Sequence, residues 1–116
     1  MVKRQALFTA FIAVALGAAA CSSSGQGAAA TPPKPVTHTV RIESMRFQPE
    51  TLTVNAGDTI VWANNDLVPH TATSTSAFDS ALIDAGRLWQ FTPPRRGTFE
   101  YVCTFHPTMK GTLHVK

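Results

Sequence analysis

The chain has 116 residues, of which 44% are hydrophobic and 15% charged, an ordinary composition for a globular protein with room for one domain. The formal net charge of +3 includes Lys3 and Arg4, so the rest of the chain carries eight basic against seven acidic side chains. This balance, without a clustered basic stripe, argues against nucleic-acid binding, and we predict that Arg95 and Arg96 occupy a solvated turn.

Residues 1–20 have the pattern of an export signal. Two basic residues precede an apolar run over 6–16, and small residues follow up to Cys21. A bilayer span takes about 20 apolar residues, so this run is short for a membrane helix and we expect a peptidase to remove it. The sequence therefore predicts an exported protein of the periplasm or cell envelope.

Residues 21–35 are predicted to form a flexible tether, because they lack any apolar period and are rich in Ser, Gly, Ala and Pro. The sequence before Cys21 resembles a bacterial lipoprotein signal, in which the cysteine is lipidated and becomes the N-terminus. Ala18 stands where such signals usually have leucine, so ordinary cleavage after an Ala-x-Ala triplet is the alternative, either after 18–20 or after a second triplet at 28–30. Lipidation is favoured because an unmodified Cys21 would be free or paired with Cys103.

Six segments between residues 36 and 116 have the pattern of short β-strands, since they are rich in β-branched and aromatic residues and are separated by turn signals. Segment 74–86 is left open between a short strand near Ala77 and Phe78, a helical turn near 80–84, and a loop. This spacing predicts one all-β domain over 36–116, an antiparallel Greek-key β-sandwich. The predicted strands are 37–42, 51–54, 58–63, 87–92, 98–103 and 111–115.

Alternation of side chains predicts the core. In strand 98–103, Phe99, Tyr101 and Cys103 share one face, so we expect Cys103 to face inward at the end of a buried strand. The other predicted core positions are Val40, Trp62, Trp89 and Phe91.

The residues with metal chemistry are concentrated in one segment. Cys103, His106 and Met109 follow one another at intervals of three, and His70 lies in an upstream loop. Each alone has an ordinary structural role, but a thiolate, two imidazoles and a weak thioether together are the donor set of blue, type 1 copper. Zinc prefers four strong ligands, and a binuclear copper site would need a second cysteine in the loop. We therefore predict one copper ion bound by these four side chains.

Residues 36–116 resemble the cupredoxins, and within them the amicyanin- and plastocyanin-like proteins. The two-residue gaps on either side of His106 are similar to the short ligand loop of the amicyanin type. The segments that carry the resemblance are 47–49 (FQP), 56–64 (AGDTIVWAN), 69–71 (PHT), 97–103 (GTFEYVC) and 105–111 (FHPTMKG).

The resemblance implies an eight-stranded Greek-key sandwich with copper near one end, and electron exchange through the exposed edge of His106. It also implies a small apolar docking patch around that edge, formed by Met45, Pro69, Phe105 and Pro107. The basic residues expected to favour an acidic partner are Arg46, Arg95 and Lys110.

One position departs from the family's pattern. Many cupredoxins have asparagine directly after the upstream histidine, where its side chain joins the two ligand loops, and this chain has Thr71. We expect Thr71 to direct its backbone N–H toward the sulfur of Cys103 and its hydroxyl toward Thr104. The copper is then bound, but with a different redox potential.

The predicted function is single-electron transfer between redox protein partners by a monomer. An enzyme is not expected, because side chains fill every ligand position and no nucleophile with a neighbouring base is evident. Two alternatives remain open at this point. The first is a periplasmic copper carrier or metallochaperone, which would lack the intense visible absorption of a Cu(II)–thiolate bond. The second is a non-metal binding module, in which Cys103→Ser would change packing alone.

Overall fold

The structure, a computed structural model, describes Gly27 and residues 31–116. One compact unit spans Pro32–Lys116, and a second unit, Met1–Thr31, falls almost wholly outside the described residues. The predicted signal and Cys21 also lie outside them. No helix among the described residues is long and apolar enough to cross a membrane.

Nine strands form the described domain, one more than the family resemblance implies. In chain order they are β1 (Thr37–Glu43), β2 (Arg46–Gln48), β3 (Thr51–Val54), β4 (Thr59–Asn64), β5 (Thr73–Ser74), β6 (Phe78–Asp79), β7 (Leu88–Phe91), β8 (Gly97–Cys103) and β9 (His106–Val115).

The strands form two sheets with the orders β2-β1-β4-β7 and β3-β9-β8-β5-β6. This confirms the predicted all-β sandwich. Five of the strand pairs are antiparallel, but β1 with β4 and β3 with β9 are parallel, so both sheets are mixed. Parallel neighbours cannot be joined by a tight turn, and the chain therefore crosses between the sheets from β2 to β3 and again from β3 to β4.

The structure differs from the predicted strands at three places. β2 has only three residues, too few for alternation to reveal it. β9 begins at His106 instead of 111, so the ligand segment is part of a strand. In the segment left open, a short strand forms around Phe78 and pairs with β5.

The core is built around Trp62, which is fully buried. Its ring centroid lies 5.2 Å from that of Trp89, 5.3 Å from that of Phe78 and 5.6 Å from that of Tyr101. Aromatic pairs at these separations add packing energy beyond their buried area. Trp89 and Phe91 are half-buried against this core, and the predicted positions that are buried are Val40, Trp62, Phe99, Tyr101 and Cys103.

Strand direction gives the sandwich two chemically different ends. β4 and β8 finish at one end, where β9 begins, so the segments 44–45, 64–70 and 103–109 meet there; we call this the site end. The distal end contains the entry into β1, the turns at 55–58 and 92–97, and Lys116.

Gly111 lies opposite Tyr101 in the β8–β9 pair, and the tyrosine ring covers it. A Cβ at Gly111 would overlap the ring and the hydroxyl of Tyr101, which burial holds in place. The same burial raises the pKa of Tyr101 to about 12. The absence of a side chain at 111 is therefore a packing requirement.

We predict that Gly111→Ala lowers the free energy of unfolding by about 1–3 kcal/mol, because a buried ring must shift to admit the methyl group. Urea unfolding measures the change. Gly27→Ala is the matched control, since a Cβ there meets nothing within 4 Å. An unchanged urea midpoint for Gly111→Ala would contradict the packing requirement.

Asp58 fixes the distal turn to the start of β1. Its carboxylate accepts hydrogen bonds from the backbone N–H of Val36 (2.9 Å) and of Asn55 (3.0 Å), and it pairs with Nε2 of His38 (2.9 Å). These hydrogen bonds, led by that from Val36, lower the pKa of Asp58 from 3.8 to about 2. Ionised Asp58 therefore favours the folded state.

The stabilisation from Asp58 is complete above its unfolded pKa of 3.8 and is lost as the pH falls through about 2. We predict that Asp58→Asn lowers the melting temperature of the metal-free protein at neutral pH, and that the difference from wild type shrinks between pH 4 and pH 2. His38→Gln should keep most of the pH dependence, because it retains both backbone donors. Parallel pH profiles of Asp58→Asn and wild type would refute this role.

Candidate metal centre

The β8–β9 hairpin brings Cys103 and His106 together. The strands are paired at these two residues across a turn of only Thr104 and Phe105. Val102 pairs with Lys110 but Cys103 pairs with His106, so residues 107–109 of β9 form a bulge, a feature common beside functional sites. The Cys103 sulfur lies 3.5 Å from Nδ1 of His106.

His70 reaches the same point from the connection between the two sheets. Its backbone N–H and C=O form a bridge with Ile83, at N–O distances of 3.1 and 2.8 Å. The side chain is fully buried, and its Nδ1 lies 3.7 Å from the Cys103 sulfur. Both imidazoles therefore present Nδ1 to the same sulfur.

The ligand atoms of His70, Cys103 and His106 all lie within 4.8 Å of one another, and among the described residues this is the cluster of His, Cys and acidic side chains that could hold a metal ion. Metal–nitrogen and metal–sulfur bonds of ordinary length on one ion place nitrogen and sulfur roughly 3.6–3.8 Å apart. The sulfur–nitrogen distances of 3.5 and 3.7 Å fit this separation. Met109 is buried in β9, three residues after His106, and its role as a copper ligand stays a prediction.

Asp66 orients His70 and was not among the residues predicted from the sequence. Its carboxylate lies 2.9 Å from Nε2 of His70, so Nε2 carries the proton and Nδ1 keeps its lone pair for a metal. The sequence feature that could have indicated this role is the position of Asp66, four residues before His70 in the segment 64–70 (NNDLVPH).

The same carboxylate holds the β1–β2 turn. It accepts hydrogen bonds from the backbone N–H of Ser44 (2.7 Å) and Met45 (3.0 Å), two non-glycine residues with φ of 53° and 58°. Partial burial opposes ionisation of Asp66, but the bonds from Met45, Ser44 and His70 outweigh it and keep its pKa below the usual range. Asp66 therefore links the turn to the candidate ligand.

The predicted contacts of Thr71 are present. Its backbone N–H donates to the Cys103 sulfur at 3.4 Å, and its hydroxyl lies 3.1 Å from that of Thr104 and accepts the Thr104 N–H at 2.9 Å. Thr71 therefore joins the two loops through its hydroxyl group.

Asn64, the last residue of β4, holds the loop that carries His70 through three hydrogen bonds. Its buried side-chain amide donates to the carbonyl oxygens of Val68 (2.8 Å) and Ile83 (2.9 Å), and its oxygen accepts the N–H of Asp66 (3.0 Å). The loop that carries His70 is thus fixed at several points by hydrogen bonds within the protein.

His106 alone of the four candidate ligands is partly exposed. Exposed apolar side chains lie on the segments around it, and two of them, Leu67 (95% exposed) and Val68 (43%), were not in the predicted patch. The predicted members, all exposed, are Met45, Pro69, Phe105 and Pro107.

The basic residues expected around this patch divide between the two ends. Arg46 and Lys110 line a cavity with Met45 and Met109 at the site end. Arg95 lies instead in the distal turn before β8, where it contacts the carbonyl of Ser76 at 3.3 Å. The expectation that Arg95 borders the patch is therefore wrong, because Arg95 lies before the start of β8 and Cys103 is at the other end of that strand.

We predict that Asp66→Ala weakens copper binding about 10- to 100-fold, because His70 loses the partner that fixes its tautomer and ring orientation. Competition titration with a chelator of known affinity measures the change. Glu100→Ala is the control, since this exposed carboxylate lies in the middle of β8 opposite Thr112, away from the cluster. Wild-type affinity in Asp66→Ala would show that packing alone positions His70.

The chain is similar in sequence to amicyanins. Amicyanin of Paracoccus versutus is 29% identical over 83 residues, which cover 66% of this chain and 63% of that protein. Amicyanin-alpha of Methylorubrum extorquens is 28% identical over 83 residues, which cover 66% of this chain and 70% of the relative. The chain thus spans less than two thirds of the length of the Paracoccus versutus protein.

Solved structures show the same likeness. A Cu(I) form of an amicyanin variant superimposes with a TM-score of 0.65 at 26% identity, covering 69% of this chain and 82% of that chain. The oxidised state of another amicyanin variant gives 0.65 at 28% identity with the same coverage. The family model described as a Cupredoxin-like domain matches residues 9–115. Since this match extends over most of the sequence, the chain belongs to the cupredoxin-like family.

Proposed function

We propose that this protein carries single electrons between redox partners through one type 1 copper ion held by His70, Cys103, His106 and Met109. The observation that carries the proposal is the arrangement of the cluster, in which His70 and Cys103 are fully buried while the ring of His106 reaches the surface. A buried centre with one exposed ligand edge is protected from solvent chemistry and still within reach of a docked protein.

The donor set suits a centre that changes oxidation state without moving its ligands. The thiolate and thioether favour Cu(I), and the imidazoles are also good ligands of Cu(II). When bound, copper supplies the one-electron exchange between these two states. Asp66 and Ile83 hold His70, and Thr71 holds Cys103. We therefore expect these two ligands to keep the same positions in both oxidation states of copper.

The exposed apolar residues around His106 provide a surface for brief docking. Leu67, Val68 and Phe105 are exposed apolar side chains on the segments next to His70 and His106, and they add apolar area to this surface. Redox encounters commonly bury less than about 1,200 Å², so a small patch is enough for such docking. Arg46 and Lys110 beside it favour an acidic partner.

The proposal extends to the place of action. The leader over 1–20 and Cys21 support an exported protein of the periplasm or cell envelope, attached to a membrane by lipidated Cys21. An exported carrier exchanges electrons with other proteins of that compartment. A role as an enzyme is not proposed, because four side chains leave no ligand position open for a substrate.

The test is to add Cu(II) to the purified protein and record visible and EPR spectra. We expect one equivalent of copper to bind with an intense visible band from the Cu(II)–thiolate bond. The band should disappear with ascorbate and return with ferricyanide over repeated cycles, because the metal stays bound in both states. Cys103→Ser should fold and show no such band.

His114→Asn is the matched control for the histidines, since His114 lies in β9 and bonds Thr98 at the distal end. Its spectrum should equal that of wild type, whereas His106→Gly should lose the band until imidazole is added. A colourless protein with ordinary tetragonal copper signals would overturn the proposal. Loss of the metal to a chelator at each reduction would indicate a copper carrier instead.

A further inference from the structure

The distal end carries four of the eight basic side chains in residues 31–116. Arg96 and Lys116 line one cavity of about 290 Å³ together with Pro32, Pro33, Asn55 and Ala56. The C=O of Lys116 accepts the backbone N–H of Ala56 at 2.9 Å, which fixes the last described residue to the β3–β4 turn. We call this surface the basic end; its cations are Lys34, Arg95, Arg96 and Lys116.

No exposed carboxylate side chain balances these charges. The segments 32–37, 55–58, 92–97 and 115–116 contain one acidic residue, Asp58. Asp58 is buried and already accepts hydrogen bonds from two backbone N–H groups and from His38. At the site end, by contrast, Glu50 lies in the same cavity as Arg46 and Lys110. The positive charge is therefore concentrated at the distal end.

The basic end is electrostatically separate from the copper site. The ten residues of β9 run from His106 to Val115, a length of about 30 Å. The Debye length at physiological ionic strength is about 8 Å, so exposed charges at one end are screened from a partner at the other. These cations do not serve the docking patch proposed around His106.

We propose that the basic end binds an anionic phospholipid surface. Charge complementarity supports an anionic partner, and the path of the chain favours a membrane over a protein. The polypeptide enters the domain through Pro32 and Pro33 in this same surface, and Cys21, the predicted lipidation site, precedes Pro32 by eleven residues. That length reaches at most about 40 Å, which keeps the domain, and the basic end where the tether joins it, within reach of any anchoring membrane.

Binding in this orientation directs the site end away from the membrane. His106 and its apolar patch then face the aqueous space in which a redox partner moves. A lipid anchor alone would hold the domain near the surface without choosing which end faces outward. Binding of the basic end to the membrane surface would fix the orientation of the domain.

The test measures binding of the full chain carrying Cys21→Ser to phosphatidylcholine vesicles with and without phosphatidylglycerol, by sedimentation at low and high salt. Cys21→Ser prevents covalent lipid from hiding the weaker interaction, and the leader contributes equally to every variant. A basic residue near an anionic surface strengthens binding about fivefold. We expect Arg96→Gln with Lys116→Gln to weaken phosphatidylglycerol-dependent binding roughly 25-fold.

The matched control is Arg46→Gln with Lys110→Gln, which removes the same charge from the site end and should leave vesicle binding unchanged. Equal losses in the two double variants would mean that net charge alone drives binding, and would overturn the proposal. Binding without dependence on phosphatidylglycerol or salt would also overturn it. Equally tight binding to soluble polyglutamate would identify an acidic protein as the partner instead. None of these outcomes depends on copper.

Discussion

The candidate centre depends on hydrogen bonds that join two separate parts of the chain through Thr71. His70 lies on the crossover between the sheets, whereas Cys103 and His106 belong to one hairpin. Thr71 connects them by donating to the Cys103 sulfur and by sharing its hydroxyl with Thr104. The pairing of β5 with β8 at Thr73 and Val102 brings the two halves together, and the bonds of Thr71 extend this contact to Cys103 and Thr104.

This arrangement makes the centre part of the fold as well as a binding site. A metal ion shared by His70 and the hairpin would cross-link the crossover to the larger sheet, so binding and folding are thermodynamically coupled. Asp66 extends the coupling to the β1–β2 turn in the other sheet. The ordered loops also lower the entropy cost of binding, because the donors are largely in place beforehand.

The candidate ligands and most of the core could be predicted because they depend on local pattern. Alternation in β8 is enough to turn Cys103 inward, and the spacing of Cys103 and His106 places both on one tight hairpin. The partners of the ligands could not be predicted in the same way. Asp66 acts through contacts with Ser44 and Met45, more than twenty residues away, and nothing in a local window indicates such a contact. The parallel pairing of β1 with β4 is likewise a property of the whole topology.

The burial of Cys103 has a consequence for the survival of the thiol. Oxidation and disulfide exchange require a sulfur that a peroxide or a second thiol can approach. The Cys103 sulfur is fully enclosed, accepts the Thr71 N–H and faces two imidazoles. Even in an oxidising compartment, this burial protects the Cys103 thiol from oxidation until a metal ion binds.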